Sequence, residues 1–228
     1  VQLAKNLIDF CVAAVTYWGF GFALMFGASH WGLIGNSHFG IGEDAGPWML
    51  SFFVFQLVFC GTATTIISGA VAERIRFRAY LIISFLVSGF VYPIFGHWVW
   101  NGADVGGHSG WLGSRGFIDF AGSTAVHSLG GWVSLAAVLI IGPRLGRFGK
   151  NAKPIHGHDL PSATFGVLFL WFGWFGFNGG STLAVNHQIP IVLLNTNLAA
   201  AAGGLAALLL TWWIERRPAV EHVINGVL

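Results

Sequence analysis

Six apolar runs set the terms for any fold of this chain. They cover roughly residues 6–27, 48–70, 79–100, 117–142, 162–180 and 188–214. Each is close to the ~20 residues an α-helix needs to cross a bilayer. Inside hydrocarbon every backbone N–H and C=O must be bonded internally, and a helix does this by itself. The fold class expected is therefore an all-α polytopic membrane protein with six transmembrane helices. Composition agrees: 55% of residues are hydrophobic and 9% charged, against about a quarter charged in soluble domains. The 33 glycines suit closely packed membrane helices. The 11 tryptophans suit interfacial anchors and pore walls.

Charge placement orients the spans. Lys5, then Arg74, Arg76 and Arg78, then Arg144, Arg147, Lys150 and Lys153, then Arg216 and Arg217 lie in alternate connections. Of 11 basic residues only Arg115 falls on the other side, with Glu43, Asp44 and Asp104. The basic connections are expected in the cytoplasm, so the first span runs outward and the sixth inward. The localisation implied is a plasma or inner membrane. Ten cations spread over several loops are what topology alone requires, and nucleic acid is not expected as a partner. Cys11 and Cys60 lie in different apolar runs and read as buried packing thiols, not as a disulfide framework or metal motif. No low-complexity linker divides residues 1–228, which read as one membrane domain without a soluble catalytic domain and without enzyme activity. Val1 is not a start methionine, and INGVL at the end opens another apolar run; the sequence reads as part of something longer.

The stretch DFAGSTAVHS, 119–128, places an acid and an imidazole in the fourth run. A carboxylate at membrane depth is a functional candidate by default. Asp119 also stands at a helix start, where unpaired N–H groups and the helix dipole favour an acceptor. The two roles are compatible. On a helix beginning near 117, His127 would lie about 12 Å deeper than Asp119 and on roughly the same side, near mid-span. Gly122, Ser123, Ala125, Gly130 and Gly131 around it permit close helix contacts. His127 is then either an interhelical hydrogen-bonding group or a proton relay, since imidazole titrates near neutrality.

Phe59, Trp100 and Phe177 stand in three different spans. Singly each reads as packing; together they could form a cation-attracting mouth. In FGFNGGS, 175–181, Ser181 could accept a hydrogen bond from a donor-rich solute. HGHD at 156–159 offers two histidines at i, i+2 without a third spaced ligand. His30, His38 and His108 are dispersed. Haem would want paired histidines on facing helices, whereas only His127 reads as mid-span, with His97 nearer the helix end. No metal and no cofactor are expected.

These residues resemble the ammonium transporter family, which includes the Rhesus-type proteins. The resemblance rests on AERIRF (72–77), DFAGSTAVH (119–127), GPRLGRF (142–148), GWFGFNGGS (173–181) and the Asn-Thr pair of LLNTNLA (193–199). It implies an eleven-helix bundle with an inverted five-plus-five repeat, assembled as a homotrimer. The six spans resemble its second to seventh helices. By the same resemblance, Phe59, Trp100 and Ser181 would form an outer cation-recruitment site. Phe59 and Phe177 would form the gate beneath it. His127 would be the first of two pore histidines, its partner lying on a late helix absent from this sequence. Asp119 would support the recruitment site without direct contact, and Trp174 would stand near the pore. The loop between Trp100 and Asp119 looks longer than in many relatives.

The implied substrate, ammonium or ammonia, poses an energetic problem. Burying an isolated cation in a low-dielectric pore costs tens of kcal/mol in the idealised limit, and a cation–π contact returns only about 2 kcal/mol. Losing a proton from a group of pKa about 9 costs roughly 3 kcal/mol at pH 7. Deprotonation therefore wins: ammonia crosses the apolar stretch, and histidine offers the proton a route. Potassium and sodium have no proton to give up. The family also contains receptors, in which such a membrane domain controls a fused signalling domain. A transporter would instead answer to a cytoplasmic regulatory protein.

Overall fold

The computed structural model describes residues 2–150, 152–153 and 155–228. Asn151 and Pro154, in the basic connection at 143–160, lie outside the described residues, as does Val1. Among the described residues, six helical stretches are long and apolar enough to cross a membrane: Gln2–Phe26, Glu43–Ala70, Phe77–Val105, Ser123–Ile141, Leu160–Gly180 and Ile189–Glu215. The chain is a multi-pass membrane protein of the all-α class. A small hairpin of two-residue strands, β1 (Ser29–His30) against β2 (Ile34–Gly35), is the sheet found among the described residues. The chain divides after Asn151 into two compact units.

In the first unit the helices are α1 (Gln2–Thr16), α2 (Phe22–Phe26), α3 (Gly46–Ala70), α4 (Phe77–Leu86), α5 (Tyr92–Trp100) and α6 (Leu129–Ile141). Three π-helical turns interrupt the spans, at Tyr17–Gly21, Val87–Val91 and Ser123–Ser128. The second has a local cause. Pro93 lacks an N–H and cannot donate to the turn before it, and the ladder widens to i→i+5 bonds just ahead of it. Pro47 sits instead in the first turn of α3, where an N–H would have no partner anyway.

The core is aromatic. Tyr17 stacks on Phe53 with centroids 6.0 Å apart. Phe22 meets Phe53 edge-on at 5.3 Å, and Phe26 meets Phe52 at 4.7 Å. Such perpendicular pairs place the positive ring edge on the negative ring face. A polar layer is buried near the start of α1. Lys5 donates to the Ile75 carbonyl at 3.1 Å, Tyr80 donates to Asp9, and Ser68 donates to Asn6. The turn between α3 and α4 is tied to the end of α6. Arg74 donates to the carbonyls of Gly142 and Ala70, and Arg144 lies 3.4 Å from the Glu73 carboxylate. The AERIRF and GPRLGRF motifs thus meet as one clamp.

The second unit holds α7 (Leu160–Gly180), α8 (Ile189–Glu215) and α9 (Val220–Val227). Asp159 begins α7 by accepting from the Ser162 N–H at 3.0 Å. The Ser162 side chain and backbone hold this exposed carboxyl below the usual carboxylate range. Between α7 and α8, Asn178 donates to Thr196 Oγ1 at 2.9 Å and Trp171 Nε1 donates to Asn197 Oδ1 at 3.2 Å. Thr196 of the Asn-Thr pair and Asn197 next to it thus supply the polar contacts typical of membrane helix pairs.

Two expectations are corrected. The fourth span starts at Ser123, not near 117, because Gly122 has φ +102° and Asp119 turns its carboxylate onto the helix start. His127 therefore lies in the opening π turn of that helix. Cys60 is buried, but Cys11 is exposed: it occupies a face of α1 turned away from the core of its unit.

Candidate functional site

Phe59 and Trp100 come together in the first unit. Phe59, in the middle of α3, is 1% exposed, and Trp100, the last residue of α5, is 7% exposed. Their rings meet edge to face at 85°, with centroids 5.9 Å apart. Phe55, one turn earlier on α3, adds a third ring 4.7 Å from Phe59. The indole N–H of Trp100 donates to the backbone carbonyl of Asp119 at 2.6 Å, which fixes the plane of the ring.

The Asp119 carboxylate faces the other way. Oδ1 accepts from the Gly122 N–H at 2.7 Å, and Oδ2 accepts from Thr124 at 2.9 Å and Ala125 at 2.7 Å. A helix start leaves such N–H groups without intrahelical partners, and a charged acceptor is worth most there. The carboxylate is consumed in bracing the π turn. Gly122 is required by the same geometry. Its φ of +102° belongs to the left-handed region, and a Cβ there would press on Val126 and stand 3.4 Å from the Trp100 ring.

The π turn carries His127. The Gly122 carbonyl accepts from both Val126, at 3.0 Å, and His127, at 2.9 Å, and this double acceptance widens the turn. His127 lies on an exposed face of the unit. Asp119, Trp100, Phe59 and the backbone of His127 thus form one connected set.

Phe177, Ser181 and Trp174 belong to the second unit, on and just after α7. All three are half-buried. The Ser181 hydroxyl donates to the Phe177 carbonyl at 2.8 Å. Its proton is therefore spent, and its lone pairs are what it presents to a further partner.

Residues 1–228 match the model described as the Ammonium Transporter Family. The chain belongs to the ammonium transporter family. It is 48% identical over 230 residues to a putative ammonium transporter of Synechocystis, covering 98% of this chain and 42% of that protein. Ammonium transporter Amt2 of Archaeoglobus fulgidus is 44% identical, with 99% of this chain and 50% of the relative covered. Among solved structures, one titled Sensor Amt Protein superposes with a TM-score of 0.93 at 42% identity, over 98% of this chain and 56% of that one. Mep2 of Saccharomyces cerevisiae gives 0.87 at 29% identity, over 99% and 51%. The chain spans about half the length of these relatives.

Two further residues of this family member stand beside Trp100 in the chain; Asn101 escaped the reading of the sequence, and His97 was weighed there only against haem. His97 and Asn101 flank Trp100 and are 0% and 3% exposed. Their spacing of three before and one after was the available signal. A histidine one helical turn from the key indole shares its side of the helix.

Proposed function

We propose that the complete protein carries ammonium across the membrane by recruiting the cation at its outer end, removing a proton and passing ammonia inward. The observation that carries this is the perpendicular Phe59–Trp100 pair, held by the bond from the Trp100 indole to Asp119. A fixed ring face attracts an ammonium-type cation, and its contribution suits recruitment better than conduction. Asp119 acts on the cation through its field, since its carboxylate oxygens are engaged by the backbone. Ser181, whose proton is spent on Phe177, accepts from an ammonium N–H. Phe59 and Phe177 gate the passage, Trp174 borders it, and His127 takes the released proton as the first member of a relay. The basic connections face the cytoplasm, the assembly is a homotrimer in the plasma or inner membrane, and a cytoplasmic protein regulates it. The reaction is transport, not enzymatic turnover.

A second reading follows from the likeness to the structure titled Sensor Amt Protein: the same membrane domain could report ammonium to a signalling domain. Flux separates the two. The complete protein in liposomes under an inward ammonium gradient should acidify or alkalinise the lumen and carry charge well above empty liposomes. Binding of ammonium without any flux would reject transport in favour of sensing.

A further inference from the structure

Two buried polar groups of the first unit are bonded at every side-chain N and O. They are His97 and Asn101, on either side of Trp100 in the chain. His97 Nδ1 lies 2.8 Å from the Met25 carbonyl, and Nε2 lies 2.9 Å from Ser29 Oγ. A carbonyl only accepts, so Nδ1 carries the proton, and Nε2 of the neutral ring accepts from the Ser29 hydroxyl. Asn101 donates through Nδ2 to Met25 at 2.9 Å and to Gly27 at 3.0 Å. Its Oδ1 accepts from Ser109 Oγ at 2.7 Å. Both residues therefore converge on one carbonyl, that of Met25.

The consequence falls on the residue between them. Trp100 ends α5, where a helix runs out of internal partners and frays. Here the last turn is pinned on both sides to the end of α2. The loop that follows is folded back on the same turn. Leu112 donates to the Trp98 carbonyl at 3.0 Å, Ser109 to the Asn101 carbonyl at 2.8 Å, and Trp111 to the Gly32 carbonyl at 3.0 Å. Gly110 makes the close approach: a Cβ there would collide with the carbonyls of His97 and Trp98. The long segment between Trp100 and Asp119 is thus a built buttress. It delivers Asp119 to the indole N–H from one side, while His97 and Asn101 fix the backbone from the other.

We infer that His97 and Asn101 are positioning residues for the cation-recruiting face of Trp100, and that Ser29 and Ser109 orient them. They touch no substrate. They hold the indole in one orientation, so that the ring is ready before a cation arrives and little order has to be gained on binding. The inference rests on the proposed recruiting role of Trp100.

The test uses the complete protein in proteoliposomes, with ammonium flux measured over a wide range of concentration. Trp100→Leu is the reference and should raise the half-saturating concentration. His97→Leu and Asn101→Leu should each raise it about fivefold, the equivalent of one hydrogen bond of ordinary worth, with maximal flux retained. His97→Asn keeps a donor for Met25 and should recover most of the loss. Fluorine NMR on protein labelled with 5-fluorotryptophan adds a readout independent of transport. The Trp100 line, assigned by its absence in Trp100→Leu, should be narrow in the parent and broadened or split in His97→Leu. An unchanged half-saturation and an unchanged line in both leucine variants would overturn the positioning role while leaving Trp100 as recruiter. An unchanged half-saturation in Trp100→Leu would overturn recruitment itself, and this inference with it. Should the leucine variants fail to insert, Ser29→Ala and Ser109→Ala each remove one hydroxyl and leave the buried ring and amide in place. A rise in half-saturation of about twofold in either supports the role, and none in both overturns it.

Discussion

Trp100 and Asp119 are joined through the part of Asp119 that carries no charge. The indole N–H meets the backbone carbonyl at 2.6 Å, while the carboxylate reaches three backbone N–H groups of the following turn. One residue therefore orients the aromatic ring and organises the π turn bearing His127. Substitution of its side chain should disturb the second job first. Asp119→Asn offers one oxygen where two now accept, and turns an amide donor toward backbone donors. Loss of charge-assisted hydrogen bonds costs about 1.5–3 kcal/mol each, so the purified protein should unfold several degrees lower in thermal denaturation. A transition unchanged from the parent would mean that the brace is not needed.

Trp100→Ala should cut flux steeply at low ammonium and little at high ammonium. A cation–π contact contributes about 0.5–2 kcal/mol, which bears on occupancy when the cation is scarce and not when it is abundant. Flux measured from micromolar to tens of millimolar ammonium, on the scale of ordinary transporter substrates, gives the answer. An equal proportional loss at every concentration would assign Trp100 to a later step.

The spans were legible in the sequence because apolar runs of this length admit few other folds. The meaning of the fourth one was not. Phe117, Ile118, Phe120 and Ala121 continue the apolar trend, yet the short Asp119 carboxylate bonds nearby N–H groups and competes with the helix, and Gly122 takes the left-handed conformation that ends the competition. The side of α1 on which Cys11 falls could have been read. Here the polar residues, not the apolar ones, mark the covered face: Lys5, Asp9 and Thr16 recur, with Ala13, at helical spacing, and Cys11 stands on the opposite side of that stripe. The aromatic residues and Asp119 were identifiable as candidates, but the bond joining Trp100 to Asp119 spans 19 residues and those tying His97 and Asn101 to Met25, Gly27 and Ser29 span more than 60. No local pattern announces such contacts.

The clamp between the α3–α4 turn and the end of α6 gives two variants of unequal weight. Arg74 closes the carbonyl left over at Gly142 and is partly buried, so Arg74→Met should destabilise by about 1–3 kcal/mol. Glu73 and Arg144 are exposed, and such a pair is worth about 0–1 kcal/mol before screening by salt reduces it further. Glu73→Gln should shift the thermal transition by at most a degree or two. A larger effect from Glu73 than from Arg74 would reverse this order.

Orientation can be tested with single cysteines in a background lacking Cys11 and Cys60. Cysteine at Lys150, in the basic connection, should resist an impermeant thiol reagent in intact cells. Cysteine at Gly106, in the segment after Trp100, should label. Labelling at Lys150 with protection at Gly106 would invert the proposed topology and move the aromatic pair to the cytoplasmic end.

His127 separates a proton pathway from mere packing. Its backbone N–H closes the π turn on Gly122, and that bond survives His127→Ala, so the turn should persist in the variant. What alanine removes is the imidazole. If the ring only packs or bonds a neighbour, its loss costs about 1 kcal/mol and transport chemistry stays as it was. If the ring takes the proton released by ammonium, the variant should lose the ammonium-driven current. The alternative failure is equally informative: water enters where the ring stood, and the passage begins to admit potassium, since an ion that keeps its hydration no longer has to be neutralised to cross. Current and selectivity should be recorded in liposomes across an ammonium gradient, with potassium as competitor, after insertion of both proteins has been matched. Unchanged current together with unchanged exclusion of potassium would remove His127 from the proton route.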